Sequence, residues 1–339
     1  MDSIFKFNIQ LFADTDVPLE LVQEAWARDC WDVGYNKAFF KKFTGGSSEY
    51  IIDVEEDLKK GDGDTLHISL AMPLVGTGIV GDNRLRGNEE RMRLRSFDVV
   101  INQLRNGVIL KGKMEEKKTS LNLRSKAKIL LSNWLANRID EMIFDELSTS
   151  PTPDRIVYGG TATSEGTIGS GDTFSAALIG KAKRLATADK NTMVQPIRID
   201  GKKTYVMVID QWQARDLIAD PIWRDAQQYA NIRGQDNPIF SGSLGMYNGV
   251  VIHQHPNVLR TSTGSGGVKV GHALFLGAQS AVFAVGSKPE WNEEKDDYNN
   301  QTGFSFGRIF GIKKSQFKFD EVNWTDFGVV NVLTASEDD

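Results

Sequence analysis

Two neighbouring stretches of the chain alternate between apolar and polar residues, and a turn-rich segment separates them. The first stretch, 65–74, is rich in strand-forming residues, and the second, 92–104, resumes the alternation. Since successive side chains of a strand point to opposite faces, the pattern predicts a long two-stranded hairpin over 61–103. An isolated ribbon of two strands is marginal in water. We therefore expect this hairpin to lie either on the rest of the chain or on a second copy of it.

A period of 3.6 residues predicts one long helix after the hairpin. With Thr119 or Ser120 as its N-cap, the helix runs over 120–147 and is roughly 40 Å long at 1.5 Å per residue. Its apolar stripe consists of Leu123, Ala127, Leu130, Leu131, Trp134, Leu135, Ile139, Met142, Ile143 and Phe144. A stripe this broad buries one side of the helix, so we expect a structural strut beneath a sheet.

Residues 1–48 are predicted to form an arm with helical parts. Asp16 and Pro18 are suited to a helix start, and helical spacing of apolar residues continues to Gly34. Three apolar anchors follow, Phe39, Phe40 and Phe43. Such an arm is too small for a core of its own, so we expect it to pack on a neighbouring domain or subunit.

Shorter elements are predicted for the remaining chain. Strands are expected at 50–54, 197–199, 205–209, 302–319 and 327–333, and helices at 211–219, 221–232 and from a cap at 172–173 to 188. Asn106-Gly107 is expected to be a turn, and 291–300 a polar loop. The strands at 302–319 and 327–333 are expected to return to the long helix, because the preceding region offers no other large sheet.

Composition is that of an ordinary globular protein. The 339 residues are 40% hydrophobic and 25% charged, and the net charge of -5 argues against a polycation that seeks nucleic acid. The one cysteine, Cys30, excludes an intrachain disulfide. The segment 4–13 is interrupted by polar residues and lacks a basic flank, so we expect no signal peptide. No run approaches the roughly 20 apolar residues of a membrane helix, so no membrane association is expected.

Two motifs suggest a ligand site, and neither has the required context. Gly76, Gly78 and Gly81 match the dinucleotide fingerprint, but the following residues show no helical stripe, so turns are the favoured reading. His253 and His255 have a spacing that metals use, but a polar strand edge is favoured. The chain also lacks the G-x-S-x-G, Walker and H-E-x-x-H motifs. We therefore predict no catalytic residue, no cofactor, no metal and no enzymatic activity.

Charged residues concentrate in two places. The hairpin tip carries Arg84, Arg86, Glu89, Glu90, Arg91, Arg93 and Arg95. Arginine forms bidentate hydrogen bonds with carboxylates, so these residues are candidate contacts between subunits. A solvated hairpin end fits the pattern equally well. The segment before and within the start of the long helix carries Lys111, Lys113, Lys117, Lys118, Arg124, Lys126 and Lys128. These are candidate DNA-facing residues, and a solvated helix lead-in is the alternative.

Several segments, taken together, resemble a known family. They are GDTLHISLAMPLVGTGIVGDNRLRGNEE at 63–90, KMEEKKTSLNLRSKAKILLSNWLANRIDEMIFDEL at 113–147, VYGGTATS at 157–164, YVMVIDQWQARDLIADPIWRDAQQYA at 205–230 and NPIFSGSLGMYNGVVIHQH at 237–255. In this order they resemble the major capsid proteins of tailed phages of the phage N-four type. The opening FKFNIQLFAD at 5–14 is also similar to the start of many phage structural proteins.

The resemblance implies an α+β chain with the Hong Kong 97-type capsid fold. Its parts are an N-terminal arm, an extended loop, a peripheral domain with a long spine helix, and an axial domain. The arm corresponds to 1–48, the extended loop to 61–103 and the axial domain to 151–286. The peripheral domain corresponds to 49–60, 104–150 and 287–339, with the spine helix at 120–147.

The resemblance also implies a function. The chain is expected to assemble with itself, in hexamers and pentamers, into an icosahedral virion shell around phage DNA. Scaffold, portal and decoration proteins are possible partners, contact with DNA is non-specific, and assembly takes place in the host cytoplasm. The alternative is an encapsulin-like nanocompartment shell of the same fold. No covalent cross-link between subunits is expected, because no matching Lys and Asn pair can be aligned.

Overall fold

The computed structural model describes residues 19–56, 63–71, 74, 76–118, 122–189, 192–199, 201–228, 242–319 and 322–338. Its helices are α1 Leu19–Lys37, α2 Lys113–Lys118, α3 Leu123–Ser148, α4 Ala176–Thr187, α5 Gln211–Ala219 and α6 Pro221–Gln228. Its strands are β1 Thr44–Gly45, β2 Ile52–Glu55, β3 Thr65–Ala71, β4 Leu94–Val100, β5 Asn102–Ile109, β6 Ile156–Tyr158, β7 Ile197–Ile199, β8 Lys202–Ile209, β9 Ser243–Tyr247, β10 Val250–Gln254, β11 Arg260–Thr261, β12 Val270–Leu276, β13 Ala281–Val285, β14 Glu290–Asp296, β15 Gln301–Lys314, β16 Gln316–Phe317, β17 Thr325–Asp326 and β18 Val329–Ala335.

The predicted hairpin is confirmed. β3 and β4 form a two-stranded antiparallel sheet, in register from Thr65 opposite Val100 to Ala71 opposite Leu94. The base of this hairpin lies on the chain's own core, where Phe97 packs edge-on against Phe317 at 5.1 Å between ring centroids. The two-stranded hairpin, which would be only marginally stable alone, is therefore anchored to the core at its base.

A six-stranded sheet is built around the long strand β15. Its order is β1-β2-β13-β15-β14, and β5 pairs with the other edge of β15. The predicted turn at Asn106-Gly107 is wrong, because both residues lie within β5 and Gly107 stands opposite Ser305. The predicted polar loop at 291–300 is also wrong over β14, which pairs with β15 up to Asp296. In both cases pairing with β15 overrides the local polar or turn-forming preference: β5 pairs with it at long range, and β14 forms a hairpin with it through the turn 297–300.

An eight-stranded sheet takes up most of the chain after α3. Its order is β6-β18-β12-β8-β10-β9, with β11 on β12 and β7 on β8. β18 lies between β6 and β12, and all its residues are buried. The expectation that 327–333 returns to the long helix is therefore wrong for β18, because this sheet is large enough to accept it. Conversely, β13 belongs to the six-stranded sheet although it falls within 151–286.

The long helix is confirmed as α3, which has 26 residues. Asn122 is its N-cap, and the Asn122 side chain accepts a hydrogen bond from the Ser125 N–H at 3.1 Å. The expected caps Thr119 and Ser120 lie outside the described residues. At the C-terminal end Lys314 and Glu146 join the helix to β15, because the Lys314 N–H donates to the Glu146 carboxylate at 3.3 Å.

The described part of the arm packs on α3. Ala27, Cys30 and Trp31 of α1 are buried in the same core as Leu131 and Leu135 of α3. The anchors Phe40 and Phe43 lie in a 3-10 helix, Phe39–Phe43, and are buried as well. The arm was expected to pack on a neighbouring domain or subunit, and its described part packs on α3 of the same chain. The expected helix start at Asp16 and Pro18 lies outside the described residues.

Two helix predictions for the second half need adjustment. α4 begins at Ala176 with Ser175 as its N-cap, so the expected cap at 172–173 is wrong by a few residues. The Ala176 N–H instead donates to the Asp220 carboxylate at 2.8 Å, a partner that lies far along the chain. α6 begins at Pro221 as expected, and the expected continuation to 232 lies outside the described residues.

Candidate assembly surfaces

The outer half of the hairpin is a projecting, exposed surface. It carries large apolar side chains that water reaches, among them Leu74, Val80, Leu85 and Met92, with Val80 80% exposed. Gly78 and Gly81 adopt positive φ, a backbone conformation that suits the turns predicted for them. A soluble protein seldom exposes so many large apolar groups on one projection unless they meet a partner.

Hydrogen bonds within the tip hold this projection in shape. The Gly76 N–H donates to the Glu90 carboxylate, and the Gly87 N–H donates to the Glu89 carboxylate, both at 2.7 Å. The Asn88 side chain donates to the Arg84 carbonyl at 3.0 Å. Glu89 and Glu90, two of the predicted contacts between subunits, thus have a role inside the tip.

The arginines of the tip differ in their surroundings. Arg84, Arg86, Arg91 and Arg93 are exposed, and no carboxylate of the described residues lies within ion-pair distance of them. Arg95, at the start of the paired region, is partly buried. With respect to the described residues, the four exposed guanidinium groups are therefore accessible to an acceptor on another molecule.

The basic segment near the start of α3 divides into two groups. Lys111, Lys113, Lys117, Lys118 and Lys126 are exposed. Arg124 and Lys128 are partly buried and have carboxylate partners in other elements of the chain.

Arg124 and Lys128 fasten α3 to its neighbours. The Arg124 Nε donates to Glu293 at 2.8 Å, and its guanidinium lies 4.5 Å from the Trp26 ring centroid. The Lys128 Nζ pairs with Asp29 of α1 at 2.8 Å. Because these cations already have carboxylate partners, they are poorly placed to neutralise DNA phosphates.

A cluster that the sequence did not reveal joins the arm to α3 and to the eight-stranded sheet. The Asp140 carboxylate of α3 accepts hydrogen bonds from the N–H groups of Phe39 and Phe40, at 2.7 and 3.2 Å. Burial raises the pKa of Asp140 to about 6, against the effect of these two bonds. No motif marks Asp140, and the only signal is a carboxylate on the apolar side of the helix.

The two histidines of the sequence motif belong to this cluster. His253 is fully buried and packs against Phe39 and Phe43, so the predicted polar strand edge is wrong. His255 stacks on Phe144 at 4.8 Å, and burial together with the charge of Lys42 lowers its pKa to about 4.

Lys42 completes the cluster. Its ammonium lies 3.3 Å from His253 Nδ1 and 4.5 Å from the Phe39 ring centroid. Burial lowers the pKa of Lys42 to about 8. Aromatic packing and the ammonium group of Lys42, which lies among these rings, hold the 3-10 helix of the arm against α3 and β10. Across the described residues, no group of three or more potential metal ligands comes together.

Within the part of the chain that the structure describes, no helix combines the length and the apolar character that crossing a bilayer requires.

Comparisons with known proteins agree with this architecture. A family model described as "Phage capsid protein" matches residues 19–158 and 149–338. The major capsid protein of Pseudomonas phage KPP25 is 31% identical over 92% of this chain and 94% of its own length. The capsid of Ralstonia phage GP4 superposes with a TM-score of 0.81 at 29% identity, covering 100% of this chain and 99% of that one. The Cyanophage Pam1 capsid shares the fold, with a TM-score of 0.75 at 23% identity over 90% of this chain and 94% of that one.

Proposed function

This chain belongs to the phage capsid protein family, and we propose that, as a major capsid protein, it builds the icosahedral shell by laying the outer half of its hairpin on another copy. The observation that carries this proposal is the anchored hairpin with an exposed apolar and arginine-bearing tip. Repeated contacts around a closed, symmetric shell add up, so each one need not be strong. An encapsulin-like compartment is not favoured, because the matching family and relative are phage capsid proteins.

The parts of the expected fold can be proposed for the observed sheets. The six-stranded sheet with α3 is the candidate peripheral domain, the eight-stranded sheet the candidate axial domain, and β3 with β4 the candidate extended loop. On this proposal β18 joins the axial domain and β13 the peripheral domain. The described arm, α1 with the 3-10 helix, stays on α3.

The role is structural rather than enzymatic. We expect hexamers and pentamers of one chain as the building units, without covalent cross-links between subunits. Scaffold, portal and decoration proteins are candidate partners, and assembly is expected in the host cytoplasm. Lys111, Lys113, Lys117, Lys118 and Lys126 are the remaining candidates for weak, non-specific contact with packaged DNA, because their side chains are exposed.

Deleting the hairpin tip tests the proposal. A variant in which a short Gly-Ser turn replaces residues 74–92 keeps β3, β4 and the anchored base. We expect it to remain folded by circular dichroism and to form few or no shells by electron microscopy. Normal shells from this variant would overturn the proposal. A matched control replaces the turn at Gly201 between β7 and β8 with a Gly-Ser turn and is expected to assemble normally.

A further inference from the structure

Three short segments connect the parts of the chain that belong to the six-stranded and the eight-stranded sheet, and these segments contact one another. The first, 149–152, follows α3, the second, 277–280, joins β12 to β13, and the third, 326–328, joins β17 to β18. We refer to these segments and the side chains that bind them as the junction. All three are polar or glycine-rich, although both sheets beside them are strongly apolar.

Asp326 binds the first segment to the third. Its side chain is 1% exposed, and Oδ2 accepts a hydrogen bond from the Thr152 N–H at 3.0 Å. In return, the Asp326 N–H donates to Thr152 Oγ1 at 3.2 Å. The other oxygen, Oδ1, accepts from the Gln316 amide at 2.8 Å and pairs with Lys314 Nζ at 3.0 Å. The carboxylate therefore has three polar contacts, and the backbone N–H of the same residue adds a fourth bond.

Lys314 extends the same network to the end of the long helix. It is the last residue of β15 and its side chain is 3% exposed. The Lys314 Nζ donates to the carbonyls of Thr149 and Ser150, at 2.9 and 3.3 Å. Ser150 has a φ of 45°, a conformation that a non-glycine residue adopts only when its surroundings hold it. The ammonium thus ties the turn after α3 to the six-stranded sheet.

Ser280 binds the second segment to the third. Its hydroxyl lies 2.8 Å from the carbonyls of both Gly277 and Gly328, and the Gly277 N–H donates to the Gly328 carbonyl at 2.9 Å. A side chain at position 328 would place its Cβ 2.6 Å from the Ser280 Cα. Glycine is therefore required for the two segments to approach this closely.

Apolar packing alone leaves the angle between the sheets loosely specified. Val206 and Leu274 of the eight-stranded sheet share a core with Phe283 and Phe310 of the six-stranded sheet, so apolar contacts do join them. Such contacts are non-directional, whereas hydrogen bonds and buried ion pairs require particular distances and angles. A buried ion pair contributes little net stability but can select one arrangement among several.

We propose that Asp326 is a positioning residue for assembly, which fixes the angle between the two larger sheets through Thr152 and Lys314. The proposal rests on the proposed function, because the angle matters only if many copies must present the same curvature. A shell closes when every subunit has nearly the same shape, and a variable angle gives irregular particles.

Asp326→Asn provides the main test. Asparagine keeps the size of the side chain and one acceptor oxygen but leaves Lys314 without a charged partner. We expect the variant to stay folded by circular dichroism, while the yield of shells with the native diameter in electron micrographs falls at least about tenfold, a ratio that corresponds to a loss of about 1.4 kcal/mol. A matched control, Val332→Ala, removes buried volume within the eight-stranded sheet away from the junction and should keep the native diameter.

Two further variants make the outcome decisive. Thr152→Ala removes one acceptor and keeps both charges, so it should fold and give a smaller loss in the same direction. The double variant Lys314→Gln with Asp326→Asn restores a neutral hydrogen-bonded pair and should recover part of the uniform shells.

The proposal would be overturned if both Asp326→Asn and Thr152→Ala formed shells of native diameter. It would also be overturned if the Val332→Ala control formed shells as irregular as those of Asp326→Asn. If Asp326→Asn fails to fold, Thr152→Ala alone decides. Failure of the unaltered protein to form shells would instead contradict the proposed function, so the two failures can be told apart.

Discussion

The buried side chain of Asp140 binds the arm to α3. Its carboxylate lies in the core between α3 and the 3-10 helix, where it receives the N–H groups of Phe39 and Phe40. Lys42 and His253 face the same cluster from the 3-10 helix and β10, and His255 follows β10. Sequence patterns cannot find such a site, because its members lie about a hundred residues apart along the chain and only the fold brings them together.

The pKa shifts of Asp140 and His255 have opposite consequences on acidification. The raised pKa of Asp140, about 6, means that the folded state holds this proton more tightly, so stability rises as the pH falls from about 6 towards 4. The lowered pKa of His255, about 4, means that the folded state resists protonation, so stability falls between pH 6.5 and about 4. Lys42 titrates near pH 8, above this window.

Single substitutions should expose these opposite contributions. His255→Gln removes the destabilising contribution of His255, so acidification from pH 7 to 4.5 should stabilise this variant relative to the unaltered protein. Asp140→Asn removes the stabilising contribution of Asp140, so the same acidification should destabilise this variant relative to the unaltered protein. Each difference in the free energy of unfolding should be on the order of 2 kcal/mol. Urea unfolding of unassembled protein at both pH values measures the difference. Parallel pH profiles for all three proteins would contradict the assignment.

At the scale of elements, long helices and hairpins could be predicted from the sequence, whereas the pairing partners of individual strands could not. The hairpin and α3 follow from sustained periods of two and 3.6 residues, which local sequence carries in full. The turn predicted within β5 is wrong because β5 pairs with β15, which is remote in sequence, and the loop predicted over β14 is wrong because its polar residues form a hairpin with β15 through the turn 297–300. β18 was recognised as a strand but given the wrong partner, since alternation does not say which sheet accepts a strand.

The anchoring of the hairpin base can be tested at Phe97. Its ring is 4% exposed and packs on Phe317, so Phe97→Ala should cost about 3 kcal/mol and release the hairpin from the core. Faster proteolysis within 63–100 and a lower urea midpoint are the expected observations. On the same strand Val100 is 60% exposed, and Val100→Ala should change stability by less than about 0.5 kcal/mol. Equal effects of the two substitutions would show that the base is not anchored through Phe97.

At the scale of the whole molecule, the Hong Kong 97-type fold expected from the resemblance is confirmed. The chain superposes over its full length on the capsid of Ralstonia phage GP4, with a TM-score of 0.81. The residues that would contact other copies remain predictions, because a surface acquires its role from a partner that a single chain does not contain. The tip arginines illustrate this: their exposure follows from the hairpin, but no carboxylate of the described residues pairs with the four exposed ones.

Charge reversal at the tip separates assembly from folding. Arg84 and Arg86 have no carboxylate partner among the described residues, so Arg84→Glu with Arg86→Glu should leave the urea midpoint nearly unchanged. If these cations meet acidic groups of another copy, the variant should lose shells, and the unaltered protein should assemble less well as salt is raised. Light scattering and electron microscopy follow both effects.

The control for this reversal must be another exposed lysine or arginine outside the tip. Lys202 and Lys203, at the exposed start of β8, meet that condition. The double variant Lys202→Glu with Lys203→Glu changes the net charge as much as the tip variant does and should assemble as the unaltered protein does. Loss of shells in both variants would point to net charge rather than to a specific contact. Normal shells in the arginine variant would leave the exposed apolar residues of the tip as the source of contact, since the hairpin would still project and their burial does not depend on charge.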